Sequence, residues 1–221
     1  MDNKGLHPEN VKRHFYFNKI TLVPALLVII YLLMALVRFD PGSENQLLLF
    51  FGRFHPLVLH FPIVLILTTT AFILMGFFNP IFKKPLIIRS LLWASAFFSF
   101  FAILAGYLLF VSESYSGELV NNHFYGALAT GICISICLII YDSNQIGRLN
   151  SGYGFYLLLG LANLSLAYTS HLGGSLTHGE DFLTAPFKAL LPAKKIDKAP
   201  EEMLVFGDMV ATVLENKCVY C

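Results

Sequence analysis

The sequence predicts an all-α fold, a polytopic membrane helical bundle, on three observations. Hydrophobic residues fill 56% of the 221 positions and charged ones only 13%, where a soluble domain carries roughly 25% charged residues. Mean hydropathy is +0.67. The apolar residues are also gathered into runs rather than spread, and about 18 consecutive apolar residues suffice to cross a bilayer.

Five runs read as transmembrane helices, over 20–37, 56–78, 89–111, 123–141 and 153–170, forming one leading helix and a four-helix bundle. The breaks between them carry turn chemistry: Asp40-Pro41-Gly42, Asn79-Pro80 and Asp142-Ser143-Asn144. The first run follows Lys12, Arg13 and Lys19, as in a signal peptide, but it is too long for one. Leu36-Val37-Arg38-Phe39-Asp40 offers no small-residue cleavage site either, so the helix is expected to be retained.

Orientation follows from the basic residues in the short loops. Lys4, Lys12, Arg13, Lys19, Lys83, Lys84, Arg89 and Arg148 fall on one side, and only Arg38 and Arg53 on the other. The N-terminus is therefore expected in the cytoplasm and the C-terminus in the periplasm of a bacterial inner membrane. The predicted organisation is a cytoplasmic segment over 1–19, a first helix over 20–38, a histidine-bearing membrane domain over 50–180, a periplasmic linker over 181–200, and a further element over 201–221. The linker holds Pro186, Pro192, Pro200 and the Lys194–Lys198 stretch. The expected partners are the lipid bilayer and a periplasmic redox partner or larger membrane complex. A net charge of +1 without a basic cluster excludes a nucleic-acid partner.

Five of the seven histidines gather on the predicted outer face. His55 and His60 open the second span, His123 opens the fourth, His171 closes the fifth, and His178 follows. Ionisable side chains at membrane depth are costly and tend to mark functional sites, although an isolated one also reads as an interfacial residue with a satisfied hydrogen bond. Pro56 and Pro62 flank His60, and Pro62 is expected to bend the helix there. Small residues accompany the histidines: Ser95, Ser99, Ala102 and Gly106 in the third span, Gly126, Ala127 and Thr130 after His123, and Gly160 and Ala167 on the face of His171. Such stripes let membrane helices pack closely; they also leave room for a flat macrocycle. Haem iron accepts histidine as an axial ligand, and bundle cores build cofactor sites from facing helices. His60, His123 and His171 are the expected metal ligands, with His60 bridging to His123 or His171 on grounds of similar depth. Clustered histidines also suit zinc or copper.

Two of the four cysteines, Cys133 and Cys137, sit one helical turn apart in an apolar run and read as packing residues. Cys218-Val219-Tyr220-Cys221 closes the sequence as a C-x-x-C. With a following histidine this is the attachment signature of c-type haem. The amphipathic stretch before it (Met203, Leu204, Phe206, Met209, Val210, Val213, Leu214) reads as the lead-in helix of a c-type cytochrome domain, with haem c held at Cys218 and Cys221. A dithiol or disulfide, and a zinc site completed elsewhere, are the other readings of the pair. No nucleophile–base–acid set and no Gly-rich phosphate loop is present.

His55-Pro56-Leu57-Val58-Leu59-His60-Phe61-Pro62, His123-Phe124-Tyr125-Gly126 and Ser170-His171-Leu172-Gly173-Gly174-Ser175 resemble the motifs of a bacterial four-helix membrane domain of unknown function. That family's histidines are thought to hold haem, and it is often fused to a planctomycete-type cytochrome c domain. The resemblance covers about residues 50–180. It implies one or two b-type haems held by His55, His60, His123, His171 and His178, and an electron carrier rather than a catalytic enzyme. Two rivals are a non-redox membrane anchor or assembly subunit of a larger complex, and a metal transporter or sensor.

Overall fold

The structure, a computed structural model, describes residues 8–37, 45–113, 115–145, 152–179, 182–188 and 190. Its regular elements are all helical: α1 (Pro8–Leu36), α2 (Gln46–Gly52), α3 (His55–Val58), α4 (His60–Met75), a 3-10 turn (Pro80–Lys83), α5 (Pro85–Ser112), α6 (Glu118–Gln145), α7 (Gly152–His178) and α8 (Ala185–Lys188). Three stretches are long and apolar enough to cross a membrane: Gln46–Met75, Pro85–Ser112 and Glu118–Asn144. Thr21–Leu36 is a shorter apolar helix. This is the build of a multi-pass membrane protein.

The surface supports that assignment. Leu36, Phe78 and Tyr153 are 81%, 93% and 93% exposed, and Val64, Leu67, Leu74, Phe97, Leu157 and Leu164 also face outward along the long helices. So large an apolar exterior is unfavourable in water, and it matches a lipid-facing surface. Helices suit that solvent because all their backbone groups bond within the segment.

Two units make up the chain, Met1–Thr169 and Ser170–Cys221, and the division falls inside α7. In the first unit one apolar core draws on four helices: Ile66 and Ile73 of α4, Ile88 and Leu92 of α5, Ile134 and Leu138 of α6, and Phe155, Leu159 and Ala162 of α7. A second cluster seats α1 against α5 and α6 through Tyr31, Ile103, Phe124 and Leu128. Gly131 makes that approach possible, because a Cβ there would lie 2.8 Å from the Tyr31 ring. The second unit holds the last turns of α7 and the short α8.

The helix starts and stops follow from local chemistry. The Asn45 side chain accepts from the amides of Leu47 and Leu48, at 3.0 and 3.3 Å, and so caps α2. The Asn79 side chain caps the 3-10 turn through Ile81 N at 3.0 Å. Gly117, at φ +117°, turns the chain into α6 in a conformation that favours glycine. Two prolines divide the stretch 46–75. Pro56 has no amide hydrogen for the Gly52 carbonyl, and Pro62 has none for Val58, four residues earlier in each case. Accordingly α2 ends at Gly52 and α3 ends at Val58.

Several expected boundaries move. α1 extends back to Pro8, with its apolar part, Thr21–Leu36, falling on the expected first run, and the second apolar stretch starts at Gln46 rather than at 56. Asp142-Ser143-Asn144 is not a turn. All three residues are helical, and Asp142 and Ser143 are buried. Asp142 Oδ1 lies 2.9 Å from Arg89 Nε and the Ser143 hydroxyl donates to Ile139 O at 2.7 Å, which pairs the aspartate's charge inside the bundle while its Oδ2 has no hydrogen-bond partner among the described residues. Similarly, α7 runs through Gly173-Gly174 to His178, with Ser175 Oγ donating to His171 O at 3.0 Å. The expected linker contains α8. Residues 191–221 lie outside the described residues, and with them the expected cytochrome lead-in, Cys218 and Cys221.

Candidate functional site

The break between α2 and α3 puts His55 at the start of a short helix, with Pro56 in its first turn. His55 thereby crosses to α5, where its Nδ1 lies 2.8 Å from the carbonyl oxygen of Ala102. Gly106, one turn further along α5, leaves the space that the imidazole fills. A Cβ on Gly106 would stand 2.9 Å from both Cε1 and Nδ1 of His55.

His123, in the second turn of α6, makes the corresponding crossing to α7. Its Nδ1 lies 2.9 Å from the carbonyl oxygen of Thr169. Here too a glycine permits the approach, because a Cβ on Gly126 would stand 2.5 Å from Thr169 Oγ1. One turn deeper, Thr130 and Ser165 share a 2.8 Å hydrogen bond, and both hydroxyls reach the Gly126 carbonyl. Phe124 stacks on Phe110 at 5.4 Å and 3°, which holds this end of α6 to α5.

The two imidazoles meet. Their ring centroids are 6.2 Å apart with planes at 84°, and both side chains are half-buried. Because a carbonyl oxygen only accepts, each Nδ1 donates a hydrogen. The neutral tautomer is then fixed, and Nε2 carries the free lone pair. Ligating histidines in metal sites are commonly held in this way, with the second ring nitrogen donating to a backbone carbonyl.

The remaining predicted residues stand differently. His60 opens α4 and is exposed, so the ring contact of His123 is with His55 rather than with His60, the expected bridge. The break at Leu59 separates the two histidines of that motif. In the second unit, His171 is exposed, and His178 is exposed and stacked on Phe182 at 4.4 Å. Of the small-residue stripes, Ser95, Ser99 and Ala102 are buried as expected. Gly160 and Ala167 are not: both are exposed, and a Cβ on Gly160 would meet nothing within 4 Å. α7 packs instead through Phe155, Leu159, Ala162 and Thr169. Cys137 is buried and Cys133 half-buried, both as free thiols.

Sequence reasoning passed over the carbonyls of Ala102 and Thr169, which carry no side-chain signal, and the Arg89–Asp142 pair, which did carry one. Asp142 continues the buried series Ile134, Leu138 at four-residue steps, and so belongs to the core face of α6. A second polar crossing, from Asn163 Nδ2 to Thr70 Oγ1 at 2.9 Å, ties α7 to α4.

Among the described residues no group of three or more His, Cys, Asp or Glu side chains gathers closely enough to hold a metal ion. The histidine arrangement within the first unit is therefore a pair. No family model, curated protein or solved structure matches the chain.

Proposed function

We propose that this protein is a membrane-bound, cytochrome-like electron carrier that holds a b-type haem through His55 and His123. The observation that carries the reading is the spacing of those two rings. Two imidazoles sharing one metal ion from opposite sides stand roughly 6 Å apart between ring centres, since each metal–nitrogen bond is about 2.0–2.1 Å and each ring adds about 1 Å. The centroid separation here is 6.2 Å. Both Nδ1 atoms are already engaged by carbonyls, so it is Nε2 that is left for iron.

The donor set also favours haem over a bare ion. Structural zinc takes four protein ligands and catalytic zinc three, whereas haem iron needs only axial ligands from the protein. A bound haem supplies a one-electron carrier. The chain's own residues orient the imidazoles through Ala102 and Thr169 and keep the rings half-buried between α3 and α6. The basic-residue bias puts the pair at the periplasmic side of five spans, in a bacterial inner membrane. On this reading Cys218 and Cys221 would hold a c-type haem if a histidine follows them, and that haem would serve as the electron partner.

One observation favours the rival, a non-redox membrane anchor. A separation of 6.2 Å at 84° also suits an ordinary edge-to-face ring pair, and the two imidazole–carbonyl bonds then serve as clamps between helices. A reduced-minus-oxidised difference spectrum separates the two readings. It is recorded on the full chain carrying Cys218→Ser and Cys221→Ser, which removes covalent attachment. A b-type spectrum is expected; folded protein without haem would leave the anchor reading standing.

A further inference from the structure

At the other end of the first unit the last turn of α4, the 3-10 turn, the first turn of α5, the end of α6 and the start of α7 line a half-open pocket of about 200 Å³. Its lining is divided. Ile73 and Phe155 make an apolar side, while Lys83, Tyr141, Asn144 and Tyr156 bring an ammonium, two phenols and an amide. We propose that this pocket binds an anionic phospholipid, with the headgroup phosphate on Lys83 and the adjoining chain against the exposed Phe77 ring.

Lys83 is the reason for an anion. It is half-buried, and its stem is seated on Gly76, where a Cβ would collide with the side chain. Its Nζ lies 3.3 Å from the centroid of the Phe77 ring and 5.8 Å from that of Tyr156. Those rings attract the cation without neutralising it. Among the described residues no carboxylate pairs with Lys83, and Asp142, next to cavity-lining Tyr141, is engaged by Arg89. A fixed ammonium in a pocket between membrane helices, beside the Tyr156 phenol, suits a phosphate.

A lipid, rather than free phosphate, is indicated by what surrounds the opening. Phe77 is 64% exposed, and Phe78 and Tyr153 are each 93% exposed at this end of the unit. Tyrosine rings are enriched at the headgroup level of a bilayer, and Tyr153 and the 43% exposed Tyr156 supply two of them here. The exposed Phe77 ring beside Lys83 gives an acyl chain a surface that a free ion would leave bare.

Native mass spectrometry on the detergent-purified full chain tests the assignment. Phosphatidylglycerol should be retained over phosphatidylcholine by about fivefold, the scale of one lysine near an anionic surface. Lys83→Gln should abolish that preference, while Lys83→Arg, which keeps the charge, and Lys84→Gln, on the exposed neighbour, should preserve it. Equal retention of the two lipids by the native chain would overturn the proposal without recourse to any variant. Equal losses in Lys83→Gln and Lys84→Gln would also overturn it, pointing to diffuse surface attraction. Displacement of phosphatidylglycerol by millimolar inorganic phosphate would reassign the site to a free anion.

Discussion

The imidazole of His55 lies against Gly106 so closely that a single added methyl group would stand 2.9 Å from two of its ring atoms. His55 therefore reaches the Ala102 carbonyl, and through it the neighbourhood of His123, only because α5 has no side chain at position 106. The same principle holds at Gly126, which lets α7 come near enough for Thr169 to accept from His123. The candidate site rests on two glycines as much as on two histidines.

A contrast between two glycine substitutions follows. Gly106→Ala should move the His55 ring and destabilise the protein by about 1–3 kcal/mol, the usual cost of overpacking. Gly160→Ala, facing open space in the middle of α7, should be neutral or stabilising by up to about 1 kcal/mol, because alanine is the better helix former. Unfolding in a mild detergent, followed by circular dichroism, reads both. Equal effects at the two positions would contradict the packing described here.

The Arg89–Asp142 pair predicts an asymmetry between single and double replacements. Asp142 is 3% exposed and Arg89 39%. Asp142→Ala should cost about 1–3 kcal/mol, less than a fully buried pair because the remaining arginine is partly solvated. Replacing both residues with leucine should recover most of the loss, since it removes the orphaned charge as well. The check is a comparison of unfolding midpoints for Asp142→Ala and the double leucine variant.

Legibility in the sequence differed between the fold and the site. Long apolar runs announce helices whatever surrounds them, so the all-helical membrane build was readable from composition and run length. Boundaries were less so. Asp142-Ser143-Asn144 has the composition of a turn, and it is the position of Arg89 on the adjacent helix that offsets the charge of a buried aspartate there. Position in the sequence also ordered the histidines differently from their packing. His55 and His60 look equivalent in the HP-x3-HFP motif, and His60 lies deeper in the apolar run. The helix break at Leu59 and the space at Gly106 nevertheless put His55 beside His123 and leave His60 exposed. For α7, small residues suggested an interface at Gly160 and Ala167, yet the packed face is the bulkier one carrying Phe155 and Leu159.

The contact between Asn163 and Thr70 gives a measurable coupling. Asn163 Nδ2 also reaches Leu159 O at 2.7 Å, so the amide satisfies its own helix and a neighbour together. A double-mutant cycle with Asn163→Leu and Thr70→Val should return about 0.6–1.7 kcal/mol, the range for hydrogen bonds between membrane helices. A coupling near zero would mean that the two side chains do not meet in the folded protein.

Haem content across a histidine series tests the central claim most directly. Pyridine-haemochrome spectra would be taken on the full chain with Cys218→Ser and Cys221→Ser, alone and with His55→Ala, His60→Ala or His123→Ala added. The account predicts a b-type spectrum in the parent and in His60→Ala, and its loss in His55→Ala and in His123→Ala. Loss in His60→Ala with retention in His55→Ala, in protein shown to be folded, would contradict it.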